Sequence, residues 1–380
     1  MSYDAIVIGG GISGCAAAYY LSSAGHSVAL VEKDSIAAHA SGFAFGSLHT
    51  RFQPPPGSPP VEWFRAESIE LHHELAEVLP EQSGVDYDFV EKAGLVLAFD
   101  DGEAAHLKPS GVAGFLRDEW PEDRPDIRWL AYGELSHIEA RVSAEVVGGL
   151  YLGGTREISP SGFTNALWRA AEHNGVRLIN AEVSEINIAN GAVSGINTTD
   201  GTVSAGIVVL AAGAWSRTLL ARGTSTSHID LPVFPLKGEI LRYDLGDEPP
   251  LPVALWWGSD YASSKPDGLL HVGTTHTDAG FDESPSDSGR DAIRNSAERT
   301  LPFLRQKPIS HQTACLRPAT LDGLPIIGEI PDARGFVAAT GGGPIGIELG
   351  PAIGKLAADI ALGQSENGSR YSGFSPSRFS

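Results

Sequence analysis

Residues 5–32, AIVIGGGISGCAAAYYLSSAGHSVALVE, constrain the fold of this chain more than any other stretch. Ala5–Ile8 is apolar and branched, as a strand buried on both faces must be. It runs into a glycine turn, a small-residue helix predicted from Ile12 to about Ala24, and a second strand over Ser27–Val31. Gly9 permits the tight turn, Gly11 lets backbone approach a pyrophosphate, and Gly14 lets helix pack on strand. The helix N-terminus offers free N–H groups and a positive dipole end to phosphate. Gly25 is placed to end the helix. Glu32 closes the second strand, where a carboxylate accepts hydrogen bonds from a ribose 2′-hydroxyl and disfavours a 2′-phosphate. Together these elements specify a nucleotide site in an α/β domain, and so far they fit either a nicotinamide or a flavin nucleotide.

Composition narrows the rest. The 380 residues are 42% hydrophobic and 19% charged, which suits one large or two intertwined soluble domains with a full core. A net charge of −20 argues against nucleic acid and anionic lipid as partners, while leaving a local arginine free to bind an anionic substrate. No apolar run reaches the roughly 18–20 residues of a membrane span. No basic segment precedes the first strand, so no signal peptide is predicted and a cytoplasmic location is expected. The two cysteines, Cys15 and Cys315, form neither a disulfide framework nor a metal-ligand spacing, and no metal site is predicted.

Along the chain, residues 33–60 read as a long loop with an extended PPPGSPP connection. Val61–Leu79 reads as an amphipathic helix and Val90–Phe99 as strand with a turn at Lys92–Gly94, while 100–135 resists assignment. A second strand–helix–strand passage is predicted from Gly149. Its helix spans Ser161–Asn174, with Ser159 or Ser161 as N-cap. A hairpin turns at Asn190-Gly191, and Ile207–Leu210 is a fully apolar strand. Two or three alternating strands are expected in 232–276 and a helix over Asp287–Leu304. The chain closes with FVAAT and GGGPIGIELGPAIGKLAADIAL, again strand, glycine turn and helix. The expected class is mixed α/β, with an interleaved Rossmann-type nucleotide domain (1–50, 145–225, 310–365). A second, mainly antiparallel sheet domain with flanking helices takes 51–144 and 226–309, and 366–380 forms a tail.

The second GxGxxG, at Gly341, Gly343 and Gly346, has no following strand and acid, so it makes a poor second dinucleotide site. A helix from about Ile347 can instead aim its N-terminus at an electron-rich group, such as the edge of a flavin that gains negative charge on reduction. The segments IVIGGGISGCAAAYYLSSAGHSVALVE, VVLAAGAWS, PLKGEI, LRPATLDGLPIIG and ATGGGPIGIELGPAIGKLAADIAL occur in this order. In them the chain resembles the D-amino-acid-oxidase-type family of FAD-dependent oxidoreductases over nearly its whole length. The likeness is greatest to glycine-oxidase, sarcosine-oxidase and D-amino-acid-dehydrogenase members.

The resemblance implies FAD as cofactor. Gly9, Gly11, Ile12, Ser13, Gly14, Glu32 and Lys33 match the ADP-binding part. Ala40, Ser41 and Gly42 match the loop beside the flavin, Val183 the adenine contact, and Ala212 and Gly213 a turn at the cofactor. Gly342, Gly343, Ile345, Gly346 and Ile347 match the loop and helix start at the flavin ring. Arg317, in CLRPATLDG, falls where members hold the substrate carboxylate, and a guanidinium offers a carboxylate a bidentate fork. It is thus expected at both substrate and cofactor. Tyr261 matches a region that supplies an active-site tyrosine. His271 falls near a lysine that assists oxygen in sarcosine-oxidase-like members. His276 lies close by. Of the adjacent Trp256 and Trp257, strand geometry lets only one face the substrate.

Cys315 and His39 resemble flavin-linking residues of some members. However, CLRP is closer to the non-covalent pattern, so tight non-covalent FAD is expected. The implied reaction oxidises a C–N bond of a small amino acid or N-substituted amino acid, such as glycine, sarcosine, a D-amino acid or an opine. Hydride passes from Cα to the flavin and the imine is hydrolysed, with oxygen or an electron carrier as acceptor. A 2-hydroxyacid or glycerol-phosphate-type dehydrogenase is the first alternative. The second is a flavin-binding subunit of a hetero-oligomeric dehydrogenase, and a homo-oligomer is a further possible assembly.

Overall fold

The computed structural model describes residues 2–51, 53–54, 56–108, 126–223, 230–364 and 370–379. The opening fingerprint folds as β1 (Ser2–Ile8), α1 (Ile12–Ser23) and β2 (Val28–Glu32). Residues 33–60, expected as loop, contain a single helical turn, α2 (Ala40–Phe43), and the short strand β3 (Ser47–Leu48). The amphipathic segment forms α3 (Pro60–Ser83), ended by Gly84 in the left-handed conformation. Then come β4 (Val90–Glu91), β5 (Gly94–Ala98), α4 (Asp101–Leu107), β6 (Ile127–Ala131), α5 (Tyr132–Ile138), β7 (Gly148–Leu152) and β8 (Arg156–Glu157). Part of the unassigned 100–135 stretch, 109–125, lies outside the described residues.

Helix α6 (Pro160–His173) takes Ser159 as its N-cap, through the side-chain oxygen accepting from the Gly162 amide. It is followed by β9 (Arg177–Asn180) and the hairpin β10 (Val183–Ala189) and β11 (Ala192–Thr198). Asn190 and Gly191 both have positive φ, as a two-residue primed turn requires. The remaining elements are β12 (Gly201–Leu210), α7 (Ser216–Gly223), β13 (Val233–Asp244), β14 (Ala254–Trp257), β15 (Asp260–Ser264), β16 (Leu269–Gly273), α8 (Asp287–Thr300), β17 (Ile309–Thr320), β18 (Ile326–Glu329), β19 (Phe336–Thr340) and α9 (Gly346–Ala361). Four strands thus occupy 232–276, one more than the alternation suggested.

Two large sheets organise these elements. In the first, β9, β2, β1, β12 and β19 lie side by side and parallel, with β10 and β11 continuing from β12 and β18 from β19 as antiparallel additions. Its central strands come from the start, middle and end of the chain. Helices α1, α6, α3 and α9 cover one face with Phe64, Leu79, Phe163, Leu167 and Ile353 in the core. The second sheet runs β17-β13-β16-β15-β14-β5-β7-β6 and is antiparallel except where β14 meets β5. Helix α8 packs on it through Ile293 and Ala297. Strands β7 and β17 belong to this second sheet, although the sequence boundaries at 145 and 310 placed both with the nucleotide segments. Neither strand's sequence carries a mark of which sheet it joins. In the tail, Phe374 is buried against Phe64, with ring centroids 5.0 Å apart.

Candidate active site

One cavity of about 670 Å³ runs between the two sheets. At its nucleotide end the turn after β1 is built as its glycines require. Gly9 has φ +110°, and a Cβ there would lie 2.4 Å from the Ala211 carbonyl oxygen. A Cβ on Gly14 would fall 1.9 Å from the Gly9 carbonyl oxygen, so Gly14 brings α1 onto the turn and does not itself line the cavity. Gly42 likewise sits behind the wall, its Cα pressed against the Ala37 carbonyl. Gly11, by contrast, is extended at the start of α1 and faces only Ser41 Oγ, which accepts from the Ile12 amide at 2.9 Å. The Glu32 carboxylate is held at the cavity by the Gly10 amide at 2.6 Å and the Asp34 amide at 2.8 Å. Ile12, Ser13, Lys33, Ala40, Val183, Ala212 and Gly213 also reach the cavity surface.

At the opposite end, the loop entering α9 forms the wall through Gly342, Gly343, Ile345, Gly346 and Ile347. A Cβ on Gly343 or Gly346 would meet nothing within 4 Å, so bare backbone faces open cavity there. Together these walls offer an extended dinucleotide a phosphate-facing helix start, a ribose-facing acid and a flat backbone ledge beside a second helix N-terminus. The residues present therefore fit FAD.

The second sheet supplies the other wall, and its register explains which side chains meet. Trp256 pairs with Tyr261, Tyr261 with Gly273 and Gly273 with Ile240, which puts all four on one face. Trp257 points the other way and donates to Ser296 Oγ at 2.8 Å, so only one of the two tryptophans faces the cavity. Tyr261 lies across the bare Gly273 and against the Phe45 ring, with centroids 3.8 Å apart. Burial pushes its phenol pKa up. On the neighbouring pair of strands, Gly238 faces Cys315 and Leu236 faces Arg317. The Arg317 guanidinium donates to the Thr275 carbonyl at 3.0 Å and to Thr274 Oγ1 at 2.6 Å. His276, next in sequence, also lines the cavity.

His271 does not. It shares the face of Gly273 but stands two residues further along β16, roughly 7 Å away, and its Nε2 is engaged by Asp267 at 2.7 Å. Burial lowers its pKa to about 4. A catalytic part for His271 is therefore withdrawn. His39 lines the cavity, but Asp34 at 2.9 Å and Glu283 at 3.0 Å engage its two ring nitrogens. Cys315 lines the cavity as a buried thiol, its pKa raised by that burial.

Sequence reasoning missed Gly238, whose lack of a side chain makes room for Arg317, and Thr274 and Thr275, which fix it. It also missed a buried ion pair between Glu348 and Arg65, with His49 beside it. PLKGEI was visible as a motif, but nothing in it named its partner across the sheet.

The parallel sheet, its glycine turn and the two-walled cavity define a flavin-dinucleotide enzyme. The chain belongs to the FAD dependent oxidoreductase family, whose pattern matches residues 4–360. It is 32% identical over 366 residues to a glycine oxidase of Geobacillus kaustophilus (strain HTA426), covering 94% of this chain and 92% of that one. The crystal structure of glycine oxidase from Geobacillus kaustophilus superposes with a TM-score of 0.86 at 31% identity, over 99% of both chains. That of glycine oxidase from Bacillus cereus ATCC 14579 gives 0.85 at 28% identity, over 96% of both chains. FAD is the cofactor of this oxidoreductase. No helix among the described residues is long and apolar enough to cross a membrane.

Proposed function

We propose that this enzyme oxidises the C–N bond of a small amino acid or N-substituted amino acid, with Arg317 holding the substrate carboxylate. The observation that carries this reading is the Arg317 guanidinium itself, half-buried on the cavity wall and immobilised by two hydrogen bonds. A fixed planar fork facing a half-enclosed cavity suits a carboxylate better than a neutral group. The similarity to glycine oxidases supports the amine class.

Bound FAD supplies the two-electron acceptor. The chain's residues bind and orient the substrate. Arg317 fixes the carboxylate, while Tyr261 and Trp256 bound the space beside it. The half-enclosed cavity limits water around the reacting carbon. A strong base is not required if the amine arrives neutral. Within this reading FAD is held non-covalently: CLRP follows the non-covalent pattern at Cys315, and both nitrogens of His39 are engaged by carboxylates. Acid precipitation leaving the flavin in solution supports this, and flavin in the pellet refutes it. The domain segments drawn from sequence, with β7 and β17 moved to the second sheet, a cytoplasmic location, and oxygen or an electron carrier as acceptor complete the reading.

The test is anaerobic bleaching of the flavin by a panel of glycine, sarcosine, D-amino acids, opines and 2-hydroxyacids. Bleaching by amines supports the proposal. Bleaching by hydroxyacids alone overturns it, and no bleaching by any compound favours a role as a partner-dependent subunit.

A further inference from the structure

Glu348 is a buried carboxylate in the first turn of α9, and it lines the cavity. Its Oε1 is paired with Arg65 Nε on α3, also buried. Its Oε2 accepts from the His49 amide at 2.9 Å and lies 2.7 Å from His49 Nδ1. His49 Nε2 in turn lies 2.8 Å from Arg65 Nη2, which closes a ring of three side chains. Ser68 donates to the Glu348 carbonyl at 2.6 Å, and His72 bonds the same carbonyl and that of Ile347 at 3.1 Å. Burial opposes a charge on Glu348, but Arg65 and then His49 outweigh it and hold the carboxyl ionised. The substrate-binding arrangement uses none of these groups.

The carboxylate's place is electrostatically pointed. The N-terminal end of α9 is the positive end of a helix dipole facing the flavin ledge at Gly342–Gly346. A flavin gains negative charge on reduction, so nearby charges in this poorly screened region bear on its potential. We propose that the Glu348–Arg65 pair sets the flavin's redox potential, with Glu348 lowering it and Arg65 raising it. Glu348 sits in the helix turn itself and offsets the dipole. Arg65 neutralises most of that offset from behind.

The test is the midpoint potential of the FAD-loaded protein, read by equilibration with redox dyes in the absence of substrate. Glu348→Gln keeps shape and removes the anion, so its potential rises. The equilibrium with a reference dye then shifts roughly tenfold towards reduced flavin. Arg65→Gln removes the cation and lowers the potential. That fall grows with pH as Glu348 loses its proton, with His49 and His72 the other titratable groups facing it. Either variant alone tests the sign, so misfolding of one leaves the other decisive. Affinity of the apoprotein for FAD and thermal midpoint, measured alongside, report any structural damage. Opposite shifts support the proposal. An unchanged potential in Glu348→Gln, an Arg65→Gln potential that does not fall even at the alkaline end of the range, or shifts of the same sign, overturn it. Without substrate in the assay, this outcome is independent of whether amines or hydroxyacids bleach the flavin.

Discussion

The Arg317 guanidinium lies over the bare Cα of Gly238, where a Cβ would stand 2.2 Å from Nη2. The two residues are on adjacent strands, β17 and β13, with Gly238 directly opposite Cys315. Gly238→Ala is therefore expected to displace the guanidinium while leaving the cofactor bound. Misplacement of a substrate clamp by about 1 Å costs on the order of 100-fold, so kcat/KM should fall by roughly that factor. Steady-state kinetics beside an unchanged flavin spectrum check this.

Arg317→Gln removes the charge without adding bulk. Hydrogen bonds to charged groups contribute about 1.5–3 kcal/mol each, so kcat/KM for a carboxylate substrate should drop on the order of 10- to 100-fold. The corresponding amine lacking a carboxylate should be oxidised equally by both forms. An equal loss on both substrates would assign Arg317 a structural part instead.

At the nucleotide end, Glu32→Gln leaves the Gly10 amide with a neutral acceptor and, in the proposed reading, weakens the hold on a ribose hydroxyl. The expected change is about a tenfold rise in Kd for FAD, from the loss of a hydrogen bond to a charged acceptor. Titration of apoprotein with FAD measures it. Gly14→Ala should behave differently. Its Cβ would collide with backbone at 1.9 Å, so it should lower the thermal midpoint of apoprotein and holoprotein alike.

His72 supplies a pH prediction. Burial lowers its pKa to about 4, while its Nε2 bonds the carbonyls of Ile347 and Glu348. The unfolded chain protonates this residue near 6.5, so between roughly pH 6.5 and 4 the unfolded state binds more protons and stability falls with acidification. The stability is whole above about 6.5, and up to about 3 kcal/mol is lost by pH 4. Thermal midpoints recorded across this range should decline, and His72→Gln should flatten the decline. A midpoint independent of pH over this window would contradict the assignment.

The parts legible in sequence were those encoded locally. The turn at Gly9, the N-cap at Ser159 and the hairpin at Asn190-Gly191 depend on neighbours within a few residues, and the structure has each of them. The cavity contacts of Arg317 and Tyr261 were approached through resemblance, and the register across β13–β17 and β14–β16 shows why those positions face inward. His271 was reached through resemblance to a lysine position, which gives a rough place in the chain but not a distance from the cavity. The ring of Glu348, Arg65 and His49 joins Glu348 to two residues hundreds of positions before it, and no periodicity or spacing reports such a meeting.

The mesh between α1 and α9, where a Cβ on Gly354 would come within 2.4 Å of Ala16 Cβ, has a consequence for how the cavity is completed. The turn after β1 and the loop entering α9 lie far apart in sequence, so the cavity has both of its ends only when these distant segments have come together. Without that meeting, α1 has an uncovered apolar flank and the cavity only half of its wall. Stable flavin capture thus follows the docking of α9 on α1, and a variant that loosens this mesh should lose flavin affinity together with thermal stability.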